Sequence, residues 1–199
     1  ESALGIREYL MNSTAKYHNR VVKTLYLPKL FTRRELGNFE VAVQELYRIF
    51  DKVIAEFERN EEYRKLFGFS EELTELILRE KKYDCNIPIA RIDIFYDEET
   101  GGFKFCEFNT DGTSAMNEDR ELNIAFSQTK AYKEFAKAHK LSSFELFDTW
   151  VEEVLALYAE FAGANSKDDY LPNVAIVDFM ENATENEFKI FAERFEKRG

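Results

Sequence analysis

The sequence predicts a helix-rich α/β protein of the α+β kind. Three observations carry that prediction. Several long segments repeat apolar residues at three and four. Two short runs rich in Ile, Phe and Tyr flank Gly101-Gly102, the pattern of an antiparallel hairpin. Near the end, "VAIVDF" (174–179) is a short apolar run of the kind found in buried parallel strands, and a capped helix follows it. The expected arrangement is a helix-rich first part packed on the hairpin, then the start of a parallel α/β unit.

In chain order, residues 5–26 read as helix, with Ile6, Tyr9, Leu10 and Tyr17 on one stripe, until Pro28 breaks the pattern. Thr32-Arg-Arg-Glu35 fits a capping box. It opens a long helix with Val43, Leu46, Phe50, Val53, Ile54 and Phe57 inward. Ser70 caps another, with Leu73, Leu76 and Ile77 inward. The hairpin spans 87–96 and 103–109, and a polar loop runs from Thr110 to Glu121. Two or three helices fill 122–162, one of them opened by a second capping box at Ser142-Ser-Phe-Glu145. After a loop at 163–173 come the apolar run and a helix capped by Thr184-Glu-Asn-Glu187, carrying Phe188, Phe191 and Phe195 and closed by Gly199. A second parallel strand is expected next, so the sequence reads as part of a longer protein. The expected division is 1–168 and 169–199.

Composition bounds the function. The 199 residues are 45% hydrophobic and 15% aromatic, enough to bury a core. The net charge of -11 argues against nucleic acid or an anionic membrane as the main partner, because both favour a basic surface. A local phosphate pocket remains compatible with that charge. Two cysteines, Cys85 and Cys106, are too few for a disulfide framework, and a reducing cytoplasm is the simplest home. No apolar run is long enough to span a bilayer. Cys106 reads as a small buried hydrophobe, and His18 and His139 as surface residues.

The chemistry is in "RIDIFYDEETGGFKFCEFNTDGTS" (91–114). Alternation places Arg91, Asp93 and Phe95 on one face of the first strand, and Phe103, Phe105, Glu107 and Asn109 on one face of the second. With Asp97 opposite Phe103, Phe95 meets Phe105, Asp93 meets Glu107 and Arg91 meets Asn109. A slip of one residue separates the four polar groups. Two facing carboxylates repel, so something must offset them. Arg91 can neutralise one, or a hard divalent cation can neutralise both, with Asp93, Glu107 and the Asn109 carbonyl as oxygen ligands of the kind Mg²⁺ takes. Apolar residues on both strand faces imply a hairpin covered on each side, and Thr113, Ser114 and Gly112 suit a ligand-contacting loop. The competing interpretation is a hairpin whose polar end is a plain, partly solvated salt-bridge cluster.

Arg91-Ile-Asp93, then Glu107-Phe-Asn109 followed by Thr-Asp-Gly-Thr-Ser, resembles the metal-binding motif of the glutathionylspermidine synthase-like, circularly permuted ATP-grasp family. The match is sharp over about 88–114 and organisational elsewhere; the order of hairpin before parallel α/β unit is the order that permutation implies. The resemblance implies that Asp93, Glu107 and Asn109 bind Mg²⁺ bridging the phosphates of ATP. It implies that Arg91 contacts the transferring phosphate or the substrate carboxylate, and that Thr113 and Ser114 contact the substrate. An earlier serine of the family's loop is Gly112 here, a departure at a position that bears on glutathione. The implied reaction joins a peptide or other carboxylate to an amine or polyamine through an acyl phosphate. The resemblance also puts the ATP-gripping lysines beyond Gly199, in the remainder of the ATP-grasp domain, so the chain alone is expected to be inactive. A metal-binding regulatory module without catalysis is the third interpretation.

Overall fold

The computed structural model describes residues 2–17, 20–110, 114–164, 171–179, 181 and 183–199. It is a mixed, helix-rich fold with a small antiparallel sheet. The elements run α1 (Ser2–Asn12), β1 (Lys16–Tyr17), β2 (Arg20–Val21), α2 (Arg33–Arg59), α3 (Glu61–Arg64), α4 (Glu71–Ile77), β3 (Arg91–Tyr96), β4 (Phe103–Asn109), α5 (Met116–Gln128), α6 (Lys130–Phe135), α7 (Phe147–Ala162) and α8 (Glu185–Arg198). They form two compact units, one of Glu1–Lys29 with Gly112–Gly199, the other Leu30–Asp111. The division expected at 168–169 falls among residues outside those described.

The first unit is helical. Ile6 and Leu10 of α1 pack with Ala15 and Ala125 in one core cluster. Phe147, Val151 and Leu155 of α7 meet Met116 of α5 and Phe191 of α8 in another, with Trp150 and Phe195 against it. The helix expected over 5–26 stops at Asn12. There Asn12 Nδ2 donates back to the Glu8 carbonyl at 3.0 Å, and Ser13 Oγ donates to that of Leu10 at 3.0 Å, the carbonyl that a further turn would use. A short β1–β2 ladder follows.

Two further expectations change here. The helix expected after Ser142 begins at Phe147, where Glu145 Oε2 accepts the Asp148 N–H at 2.5 Å. The run 174–179 is in no ladder among the described residues, and Val174, Ile176, Val177 and Phe179 are exposed. A parallel strand needs a hydrogen-bonding neighbour, and none of the described segments provides one.

The second unit is a hairpin on a long helix. The Thr32 box closes as expected: Thr32 Oγ1 accepts the Glu35 N–H at 3.3 Å and Glu35 Oε2 accepts the Thr32 N–H at 2.7 Å. Leu46 and Phe57 of α2 are buried. Ser70 caps α4, but Leu73, Leu76 and Ile77 are exposed rather than inward. At the turn, Gly101 takes φ 71°, a left-handed conformation that glycine adopts without strain. Asp97 accepts from the Glu99 N–H at 2.9 Å and from Thr100 Oγ1 at 2.7 Å. These bonds, led by that from Thr100, hold its carboxyl below the usual aspartate range.

The ladder departs from the expected register in an instructive way. Tyr96 pairs with Phe103, Phe95 with Lys104 and Ile94 with Phe105; a bulge follows, and then Asp93 pairs with Glu107, Ile92 with Phe108 and Arg91 with Asn109. Cys106 is the extra residue. Phe95 therefore faces Lys104, not Phe105. The bulge moves Phe103 and Phe105 to the side of Phe108, Ile92, Ile94 and Tyr96, and that side packs on α2. Phe39 of α2 lies 5.3 Å from Tyr96 and 5.2 Å from Phe103 by ring centroids, and Phe50 lies 5.2 Å from Phe108. Tyr96 also donates its hydroxyl to Glu35, joining the hairpin to the start of α2; that bond is the main reason the phenol's pKa is raised. Cys106 is exposed, not buried, because a bulged residue has no cross-strand partner to cover it.

Candidate functional site

The bulge leaves a polar face on the hairpin opposite α2, carrying Arg91, Asp93, Glu107 and Asn109. The expected pairing of these four holds although the register at the turn does not, because the bulge cancels a one-residue slip before the polar end is reached. Arg91 Nε donates to Asp93 Oδ1 at 3.1 Å. With its carboxamide oxygen toward Arg91, Asn109 accepts from Nη2 at 3.1 Å and donates its own nitrogen to Glu107 Oε1 at 3.1 Å. The four side chains thus form a chain of contacts, Asp93–Arg91–Asn109–Glu107. The face is not covered within its unit: Phe95 is 70% exposed and Glu107 is exposed. The carboxylates therefore repel weakly, and the Arg91–Asp93 pair, about 40% exposed on each side, is worth at most ~1 kcal/mol.

The donor set fits a hard divalent cation. Two carboxylates and one amide oxygen are the few protein ligands Mg²⁺ takes when waters and phosphates complete its octahedron. Among the described residues, no group of three or more His, Cys, Asp and Glu converges. Thr113 lies outside the described residues. Ser114 is half-buried, five residues beyond Asn109 and just before α5. His139 is exposed and stacks on Phe135 with centroids 4.2 Å apart, as a surface residue; His18 lies outside the described residues.

Sequence reasoning missed the polar cluster at the start of α5. Asn117 is 1% exposed and Glu187, from the first turn of α8, is 4% exposed. Glu187 Oε1 accepts the Asn117 N–H at 3.0 Å. Asn117 Nδ2 donates to the Thr14 carbonyl at 2.8 Å, and Thr14 Oγ1 donates to Asn117 Oδ1 at 3.2 Å. One turn on, Glu121 accepts from the Tyr9 hydroxyl at 2.8 Å and from Arg120 Nη1 at 2.7 Å. The sequence signal was present but pointed elsewhere. Glu187 is the last residue of the predicted Thr184 capping box, yet Thr184 makes no side-chain cap and the Glu187 carboxylate serves α5 instead.

Glu118 sits beside this cluster, with Oε2 buried and without a hydrogen-bond partner among the described residues. Burial raises its pKa above the usual 4.5, and the Glu187 carboxylate adds to the shift, against an opposing hydrogen bond from its own backbone N–H. A carboxyl whose folded pKa is raised stabilises the fold fully below its unfolded value. That contribution is lost as pH rises through the folded value. Glu118→Gln is therefore expected to melt at higher temperature than wild type at pH 7, with the advantage shrinking as pH falls through the raised folded value and absent below about 4.5. Melting curves at pH 4 and pH 7 check it; an advantage that does not change with pH would exclude ionisation as the cause.

Compared with known proteins, the chain matches no family model, no curated protein and no solved structure. No helix among the described residues is long and apolar enough to cross a membrane.

Proposed function

We propose that this chain carries the Mg²⁺ site of an ATP-dependent carboxylate–amine ligase, in the manner of the circularly permuted ATP-grasp family it resembles. The observation that supports this most is Asp93 facing Glu107, with Arg91 facing Asn109, on an open face of the hairpin. In this reading Asp93, Glu107 and Asn109 hold Mg²⁺ against the phosphates of ATP, and Arg91 steadies the transferring phosphoryl group or the acid bidentately. Ser114 and Thr113 contact the acid substrate, a small peptide or other carboxylate. The carboxylate oxygen attacks the γ-phosphorus and ADP leaves; an amine or polyamine then attacks the acyl carbon and phosphate leaves, giving the amide. The protein's share is charge neutralisation and positioning, which an Arg clamp and a cation supply. The fold is accordingly proposed to be part of a permuted ATP-grasp, and the protein to work in the cytoplasm.

A specific observation favours a second reading. The Asp93–Arg91–Asn109–Glu107 chain already satisfies its members without a cation, as a structural cluster would.

ADP release separates the two. It is followed in the full-length protein that contains this sequence, with Mg²⁺ and ATP, against a panel of peptides and polyamines, for wild type and Glu107→Gln. The ligase reading expects turnover that needs both acid and amine and falls about 100-fold in the variant, the scale of removing one preorganised charge-stabilising group. Mg²⁺-dependent ATP binding without turnover indicates a non-catalytic module. The structural reading expects no Mg²⁺-dependent ATP binding at all.

A further inference from the structure

The start of α5 is built unlike an ordinary helix start. The N-cap position is filled by Ala115, which offers no side-chain acceptor and takes φ 75°. Alanine is a poor N-cap, and a left-handed conformation strains any residue with a Cβ. A Ser or Asp at this position would cap the helix locally. Instead the acceptor arrives from 70 residues away, as Glu187 takes the Asn117 N–H. Glu187 gives up the local capping box its own sequence spells at Thr184. Asn186, beside it, donates to the Thr14 carbonyl at 3.0 Å, the same carbonyl that binds Asn117. The carboxylate is also well placed electrostatically, at the positive end of a 13-residue helix.

Strained backbone persists only where its surroundings hold it, and such positions cluster at ligand-binding segments. A local rule broken by both Ala115 and Glu187 at one point is the pattern expected of a functional constraint. The residue directly before the strained one is Ser114.

We propose that Glu187 is a positioning residue for substrate binding. By holding the Asn117 N–H it keeps Ala115 left-handed, and the direction in which the chain enters α5 fixes Ser114 against the acid substrate. This rests on the ligase reading for what Ser114 binds; the clamp itself does not. The role is specific to geometry, so Gln, which keeps the acceptor oxygen, substitutes for Glu, whereas Ala does not.

The test uses Glu187→Ala, Glu187→Gln, Ser114→Ala and the Glu187→Ala/Ser114→Ala double variant, each first checked for cooperative melting. Amide hydrogen exchange at Asn117 reads the clamp; KM for the acid and kcat, from ADP release with Mg·ATP in the full-length protein, read the positioning. In Glu187→Ala the Asn117 amide is expected to lose roughly tenfold in protection, as one lost hydrogen bond implies. KM for the acid is expected to rise roughly tenfold with kcat little changed, since the loss is in orientation of a bound group. Glu187→Gln restores both, and the double variant is no worse than Ser114→Ala alone, because the two act through one contact. Unchanged exchange in Glu187→Ala overturns the clamp, whatever the kinetics. Lost protection with an unchanged KM overturns the positioning role and leaves a structural one. A wild-type protein without turnover defeats the ligase reading, and the role of Glu187 in it, even if the exchange contrast is present.

Discussion

Truncating Phe147 to Ala is expected to destabilise the helical unit by about 3–5 kcal/mol, the range for a large aromatic removed from a closed core. Phe147 is 1% exposed and is a hub of the cluster with Val151, Leu155, Met116 and Phe191; its ring centroid lies 4.9 Å from that of Phe191. Alanine is a better helix former than phenylalanine, so any loss at the first turn of α7 reports packing rather than propensity. The molecule carries its own probe, since its one tryptophan, Trp150, lies 4.6 Å from the same Phe191. Urea unfolding followed by tryptophan fluorescence reads this core directly. Phe144→Ala is the control, as Phe144 is 72% exposed and its loss should cost under about 0.5 kcal/mol. Equal losses in the two variants would mean that α7 does not pack against α8 as described.

Deleting Cys106 is expected to be far less damaging than deleting its neighbour Lys104. Cys106 is the residue the ladder skips, so its loss leaves Ile94 opposite Phe105 and Asp93 opposite Glu107 and turns the bulge into a regular ladder. Strict alternation then keeps Phe103, Phe105 and Phe108 on one side and Glu107 and Asn109 on the other. Like Cys106→Ser, which alters an exposed side chain, the deletion should move stability by no more than about 1 kcal/mol. Deleting Lys104 instead brings Phe103 opposite Phe95, on the polar side, and takes its ring from Phe39. Losing that ring from the α2 contact should cost about 2 kcal/mol or more. Far-ultraviolet melting of the hairpin-bearing unit compares the two deletions, and equal losses would show that Cys106 is not the residue that the ladder skips.

The helices were legible because their signals are local. The capping box at Thr32, the serine cap at Ser70 and the spacing of Ile6–Leu10 depend on residues a turn or two apart. So was the pairing of the polar four, since alternation and a glycine turn both lie within the hairpin. The bulge was not legible. Nothing in "FKFCEF" marks the residue to be skipped, and only the demand of α2 for Phe103 and Phe108 on one side requires it. The diversion of Glu187 was hidden for the same reason: a capping box is a local pattern, and a partner 70 residues distant outbid it. The composition of the run 174–179 suggests a buried strand, but burial of a strand is decided by its neighbours rather than by its own residues.

That run has a consequence for how the molecule behaves in company. Val174, Ile176, Val177 and Phe179 are exposed, with Val177 89% exposed. Such a segment is a template: its N–H and C=O groups favour whichever edge reaches them first. Another copy of the same run is one such edge, and pairing with it gains with every increase in concentration. Asp178, set among the apolar residues, is the only charge within 174–179 that penalises stacking of identical segments in register. The behaviour of the protein at high concentration thus depends heavily on one carboxylate.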